Sequence, residues 1–182
     1  MTGEVSIRQA GQADLAVLAA VLGNQGFFED RLTRQAKGLG VLFTAWCDAR
    51  PVGDVYLWLE DAEEPPIRGH LPGVPLLTHL EVAPEARNRG IGAALVRAAE
   101  DYLAGQGHAL GALAVRTDNT RAARLYRRLG YEDWGHGTVV CYSEHTLPDG
   151  RTVSEPEHCH VLVKGFPDDR PVPLVSRTCG GS

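Results

Sequence analysis

An α/β (α+β) fold, with a mixed central sheet of about six to seven strands flanked by about four helices, is the architecture this 182-residue sequence predicts. Three observations carry it. The apolar pattern switches repeatedly between period two and period 3.6, in the order strand, two helices, three strands, helix, strand, helix, two strands. The run Ala109 to Val115 is continuously apolar and follows a helical stretch, which suits a buried strand reached in parallel by a helical crossover. Residues 41–48 and 52–60 are joined through Ala49-Arg50-Pro51 and read as an antiparallel hairpin, so the sheet is mixed.

Each element has its own justification. Val5-Ser6-Ile7-Arg8 alternates as a short first strand. Residues 14–22 place Leu15, Leu18, Ala19 and Leu22 on one helical side, with Asp14 near the cap. Residues 28–37 form a second helix, acidic at its start (Glu29, Asp30) and basic at its end (Arg34, Lys37), as the helix dipole favours; Gly38-Leu39-Gly40 stops it. The hairpin follows, then an acidic, proline-rich insertion over 61–75. Leu76-Leu77-Thr78-His79-Leu80-Glu81-Val82 is a strand, and Ile91, Leu95, Ala98, Ala99, Tyr102 and Leu103 recur at helical spacing until Gly105-Gln106-Gly107. After the 109–115 strand, residues 119–129 form a short helix closed by Gly130. Strands near 138–143 and 160–164 flank a turn containing Leu147-Pro148-Asp149-Gly150.

Bulk properties narrow the function. A chain of this length buries roughly 70% of its unfolded surface as one domain. No apolar stretch is long enough for a bilayer span, and the first residues have neither the basic nor the apolar region of a signal peptide, so a cytoplasmic location is expected, with no membrane partner. The four cysteines (Cys47, Cys141, Cys159, Cys179) lack CxxC spacing and are expected as free thiols. His158-Cys159-His160 matches no standard zinc spacing, so no metal is expected. A net charge of −5 argues against nucleic acid. Its distribution is uneven: residues 84–131 hold eight Arg against four Asp/Glu, the remainder ten Lys/Arg against nineteen Asp/Glu. That pattern suits a polyanionic cosubstrate on the basic segment and a cationic one elsewhere.

The basic segment opens with Arg87-Asn88-Arg89-Gly90-Ile91-Gly92-Ala93 between strand and helix. Two glycines there permit a sharp turn and leave the first helical N–H groups open, which makes an anion site. A Walker loop needs Lys-Ser/Thr after the glycine, and here Ala93-Ala94 follows Gly92. A dinucleotide fingerprint needs a third glycine where Leu95 stands. What remains, Arg-x-x-Gly-x-Gly/Ala, resembles the acyl-CoA pyrophosphate loop of the GNAT superfamily of N-acetyltransferases. A second segment, Asn119 to Tyr131, is similar to that superfamily's Asn-x-x-Ala-x-x-x-Tyr-x-x-x-Gly-Tyr/Phe string and lies at the expected distance beyond the first.

The resemblance implies a GNAT domain over 1–167 with a Pro-rich tail over 168–182, acetyl-CoA as cosubstrate, and direct acetyl transfer to an amine. A small-molecule primary amine is the first acceptor class; a protein N-terminus or lysine, or a non-catalytic acyl-CoA-binding module, are the alternatives, and a homodimer is possible in families of this type. It implies that the backbone of Arg87, Asn88, Arg89, Gly90, Ile91, Gly92 and Ala93 holds pyrophosphate, and that pantetheine runs beside Leu80 and Val82. The resemblance further implies that the Val82 amide faces the thioester carbonyl and that Asn119 and Ala122 contact the cofactor. Tyr126 aligns with the tyrosine that protonates the leaving thiolate. The base is where the sequence departs from the pattern. Many relatives carry Glu, Asp or His at the Thr78 position, and a threonine orients water rather than taking a proton. His79 and Glu81 have the chemistry, but strict alternation turns them away from Thr78, Leu80 and Val82 unless a bulge intervenes. Thr78 and Glu81 stand as candidates beside Tyr126. Phe27, Phe28 and Glu29 at the second helix, with Tyr142 and His158 on the closing strands, form the expected acceptor site. Cys141 is either an acyl-carrying nucleophile or a core thiol.

Overall fold

A computed structural model describes residues 3–167. The expected tail over 168–182, with Cys179, lies outside the described residues. The elements are β1 (Val5–Gln9), α1 (Leu15–Leu22), α2 (Gln25–Ala36), β2 (Gly40–Cys47), β3 (Arg50–Trp58), α3 (Pro65–His70), β4 (Leu76–Val82), α4 (Ile91–Gly105), β5 (Leu110–Arg116), α5 (Thr120–Arg128), β6 (Glu132–Thr146) and β7 (Thr152–Gly165). The seven strands form one sheet in the order β1-β2-β3-β4-β5-β7-β6. Every neighbouring pair is antiparallel except β4–β5. The crossover that makes β4 and β5 parallel is α4, as the apolar 109–115 run requires.

Each face of the sheet has its own core. Leu95, Val96, Ala99 and Leu103 of α4 and Ala123 and Tyr126 of α5 pack with Val55, Leu57, Leu77, Leu113 and Leu162. On the opposite face Leu18 of α1, Phe28 and Leu32 of α2 and Ile67 of α3 pack with Leu42, Tyr56, Trp58, Ala112 and Val161. All eight residues of β2 are buried, because helices cover both of its sides. Leu95 and Leu103 are wholly inaccessible to solvent, each burial being worth about 2–3 kcal/mol. Before α1, the Asp14 carboxylate takes bonds from Arg8 Nη1 (2.8 Å), Arg8 Nη2 (2.7 Å) and the Gly11 N–H (2.8 Å), tying the first strand to the first helix.

Four departures from the sequence expectation exceed two residues. Helix α2 begins three residues early because Asn24 adopts a left-handed conformation (φ 54°), and its side chain accepts from the Phe27 N–H at 3.3 Å. The 61–75 insertion contains a helix, α3: two prolines suit its first turn and Ile67, 1% exposed, anchors it, raising the helix count among the described residues to five. β6 starts at Glu132 because a register shift between Asp133 and Thr138 lets Trp134 turn inward, its Nε1 donating to the Gly137 carbonyl at 2.7 Å. β7 likewise extends from Thr152. Among the described residues no helix is long and apolar enough to cross a membrane, and no His/Cys/Asp/Glu group is arranged to hold a metal ion.

Candidate active site

The site is organised by β4. Its pairing with β3 runs Tyr56 opposite Thr78 and then Asp54 opposite Glu81, so three steps on β4 oppose two on β3. This is a β-bulge, and His79 within it has φ +52°. The extra residue resets the alternation: Thr78 and Glu81 share the face of Asp54 and Tyr56, while Leu77, Leu80 and Val82 pack toward α4. The expectation that Glu81 lies opposite Thr78 is thereby corrected. Gly53 permits the arrangement, since a Cβ there would sit 2.7 Å from the Glu81 carbonyl oxygen.

Beyond the bulge β4 leaves β5. The two strands register only at Leu76↔Ala112 and Leu77↔Leu113, so the backbone from Thr78 onward parts from β5 and opens a slot at their C-terminal ends. Over it lies the basic loop. After a 3-10 turn at Pro84–Ala86, Arg87 is extended, Asn88 (φ 61°) and Gly90 (φ 77°) are left-handed, and α4 starts at Ile91. The first-turn N–H groups there have no helical acceptor, and open space surrounds the missing Cβ of Gly90. Two side chains brace the loop: Arg87 Nε donates to the Val82 carbonyl (3.0 Å), and Asn88 Oδ1 accepts from Arg121 Nη2 (2.9 Å). Arg89 is exposed. Gly92 faces Leu80, Val82 and Leu125, whose side chains lie 3.4–4.0 Å from where its Cβ would be. The slot is therefore apolar along its side and lined with amides at its mouth.

Helix α5 delivers the phenol. Asn119 caps it, with Oδ1 accepting from the Ala122 N–H at 3.1 Å. One helical turn on, Tyr126 is 8% exposed and meets Tyr131 edge to face at 5.9 Å. Burial pushes the Tyr126 hydroxyl up to about 12, so it stays protonated at neutral pH.

On the other side of β4 is a cleft of about 350 Å³, lined among others by Asn24, Phe28, Asp54, His79, Glu81 and Glu85. The His79 ring lies flat against Phe27 at 3.8 Å, and its Nδ1 is 2.8 Å from Asp54 Oδ2. Asp54 is 2% exposed. Burial raises its pKa, against the opposing pull of the His79 hydrogen bond. Burial alone would lower that of His79, but the bond to Asp54 and its charge outweigh it and the net is upward. Thr78, by contrast, donates its hydroxyl to the Tyr56 carbonyl at 3.2 Å. A wider depression of about 570 Å³ along α1 has no ionisable side chain in its lining.

Of the expected acceptor residues, Phe28 lines this cleft and Phe27 stacks on the His79 ring at its edge. Glu29 does not line it; it is exposed on α2 and accepts from Gln25 at 2.6 Å. Tyr142 and His158 are not brought to this cleft. The β5–β7 and β6–β7 registers set them on the face of Val115 and Leu162, where α4 and α5 pack, away from the side of Phe27. Cys141 lies on the α3 side; its hydrogen bond to Cys159, then burial, hold its thiol protonated, which suits a core thiol and not an acyl carrier. Cys47, Cys141 and Cys159 are free. Asp54 is the residue that sequence reading passed over. Its one signal was a carboxylate in the middle of an otherwise apolar hairpin strand.

Comparison with known proteins places these features in a family. The sequence model described as Acetyltransferase (GNAT) family matches residues 17–131. A mycothiol acetyltransferase of Renibacterium salmoninarum is 40% identical over 65 residues, which is 36% of this chain but only 19% of that protein's length. A GNAT-family acetyltransferase from Streptococcus pneumoniae superposes with a TM-score of 0.65 at 19% identity, covering 90% of this chain and all of the other. The PaiA N-acetyltransferase of Thermoplasma acidophilum, solved with coenzyme A, gives 0.63 at 15% identity, over 90% and 99% of the two chains. The structural likenesses speak to the fold alone.

Proposed function

Because the chain belongs to the GNAT acetyltransferase family, we propose that it transfers the acetyl group of acetyl-CoA directly to a primary amine of a small molecule. The observation that carries this reading is the parting of β4 from β5 beneath the amide-lined start of α4, with Tyr126 of α5 in the same core cluster as Leu80 and Val82. The residues present fit the cosubstrate. Backbone N–H groups from Gly90 to Ala93 receive the pyrophosphate, aided by the helix dipole. Leu80, Val82 and Leu125 wall the slot for an extended pantetheine arm, and Asn119 and Ala122 flank it.

In this reading, the Val82 amide stabilises the developing oxyanion, a type of contact worth about 3 kcal/mol. The C–N bond forms as C–S breaks, and Tyr126 gives its proton to the departing sulfur. The acceptor class rests on the acidic lining of the cleft, where Asp54, Glu81 and Glu85 favour a cationic amine.

The test is thiol release from acetyl-CoA against a panel of polyamines, aminoglycosides and peptides with free N-termini. Turnover with a small amine supports the proposal. Turnover with peptides alone would move the acceptor to a protein, and cofactor binding without turnover would make the chain a binding module.

A further inference from the structure

We propose that His79 is the general base of the reaction and that Asp54 is its positioning residue, a dyad created by the bulge in β4. The inference rests on the acetyl-transfer reading above and supplies what that reading lacks, a destination for the amine's proton. Three geometric facts carry it. The left-handed backbone at His79 puts its side chain on the cleft face, where regular alternation would have turned it toward α4. Its Nδ1 is held by a carboxylate that is 2% exposed and lies directly on the neighbouring strand. Phe27 stacks on the ring and fixes its plane.

With Nδ1–H donating to Asp54, the lone pair is on Nε2, which faces the cleft 3.8 Å from Glu81 Oε1. The imidazole side chain is 26% exposed, enough for an amine to approach. Thr78 is unsuited, its hydroxyl being spent on Tyr56, and Glu81, 70% exposed, receives no hydrogen bond from the described residues that would fix it. The charged groups facing the imidazole are Asp54 from β3, Glu81 from β4 itself and Arg31 from α2; Glu85 and Arg87 line the same cleft. The carboxylates favour the imidazolium and Arg31 opposes it.

The protons balance. His79 Nε2 removes one proton from R–NH3+, and the neutral amine attacks the thioester carbonyl. As the C–S bond breaks, its electron pair goes to sulfur, which takes the Tyr126 proton. The second amine proton returns through solvent to the phenolate, and His79 releases its own to water. The sum is one amide, one thiol and one proton.

The experiment pairs a titration with kinetics. The His79 imidazole is followed by NMR, assigned by its absence in His79→Gln, while kcat/KM is measured between pH 5.5 and 10.5 for wild type, His79→Gln and Asp54→Asn. Coenzyme A binding by calorimetry reports that each variant is folded. The proposal expects a His79 midpoint above the ordinary 6.5, moved downward by Asp54→Asn, and a kcat/KM that rises with pH through the same midpoint. His79→Gln should lose about 10²–10⁴-fold near neutrality, and the deficit should shrink as the acceptor ammonium loses its proton unaided near pH 10. A midpoint at or below 6.5, or one that Asp54→Asn leaves in place, overturns the dyad. A deficit independent of pH overturns the base. If wild type turns over no amine, the acetyl-transfer reading fails, and the titration still decides whether the dyad exists.

Discussion

Replacing Tyr126 with Phe removes one oxygen and leaves the ring. The ring is what Tyr126 contributes to packing: it is 8% exposed and meets Tyr131 edge to face at 5.9 Å. Stability should therefore change by no more than about 1 kcal/mol. Turnover should change far more. With its pKa pushed to about 12 by burial, the phenol is ionised in about one molecule in 10⁴ at pH 8, against about one in 10² for an ordinary tyrosine. Burial thus keeps the proton available at every working pH, at the cost of a weaker acid. Loss of a positioned acid typically lowers rate by 10²–10⁴; we expect about 10²–10³ here, a barrier increase of about 3–4 kcal/mol. The assay is thiol release at saturating acetyl-CoA, with coenzyme A affinity measured separately by calorimetry. Wild-type kcat should show no falling limb from this group below about pH 11, one unit under the shifted value. An unchanged kcat, or an affinity loss equal to the kcat loss, would refute the acid role. A limb near pH 10 that vanishes in the variant would refute the buried phenol.

Three further outcomes follow from the packing. Leu95→Ala, at a residue with no exposed surface beneath β3 and β4, should cost about 3 kcal/mol and lower Tm by about 6–12 °C in a calorimetric scan. Gly53→Ala should cost about 1–3 kcal/mol in a urea melt, because its Cβ would lie 2.7 Å from the Glu81 carbonyl oxygen, a contact that cannot relax without moving the bulge. Asp14→Asn tests the link between β1 and α1: the Arg8 hydrogen bond, helped by the Gly11 N–H, holds the Asp14 pKa below the usual carboxylate range. That stabilisation is present above the ordinary carboxylate pKa and is lost as pH falls through the lowered one. Discounted for the half-exposed Arg8, the variant should be about 1 kcal/mol less stable at pH 6, a deficit that fades below about pH 4 in urea melts across pH 3–7.

What was legible in the sequence was what backbone chemistry writes locally. The left-handed turn at Gly90, the Asn119 cap and the apolar stripe of α4 are each decided by residues within a few positions of one another. The insertion helix was not legible, since Ile67 is a single apolar residue among prolines and charges and is anchored only by the far core. The bulge was foreseeable only as a possibility. Its existence depends on the register of β4 against β3, and hence on Gly53, some twenty-five residues before it. The separation of Tyr142 and His158 from Phe27 has the same origin: which face a strand residue takes is set by its partner strand.

The short seam between β4 and β5 has a further consequence. A sheet with seven strands has two outer edges, at β1 and β6, yet this one also carries an inner pair of edges where β4 and β5 part after two paired residues. Backbone donors and acceptors left open in this way are what makes an edge strand sticky toward other chains. Here the opening is internal, closed at its base by the two registered pairs and walled by Leu80, Val82 and Leu125, so a foreign sheet meets no free border along which to zip. The fold thus keeps a strand-shaped vacancy in its middle without the aggregation hazard that such a vacancy carries at a border.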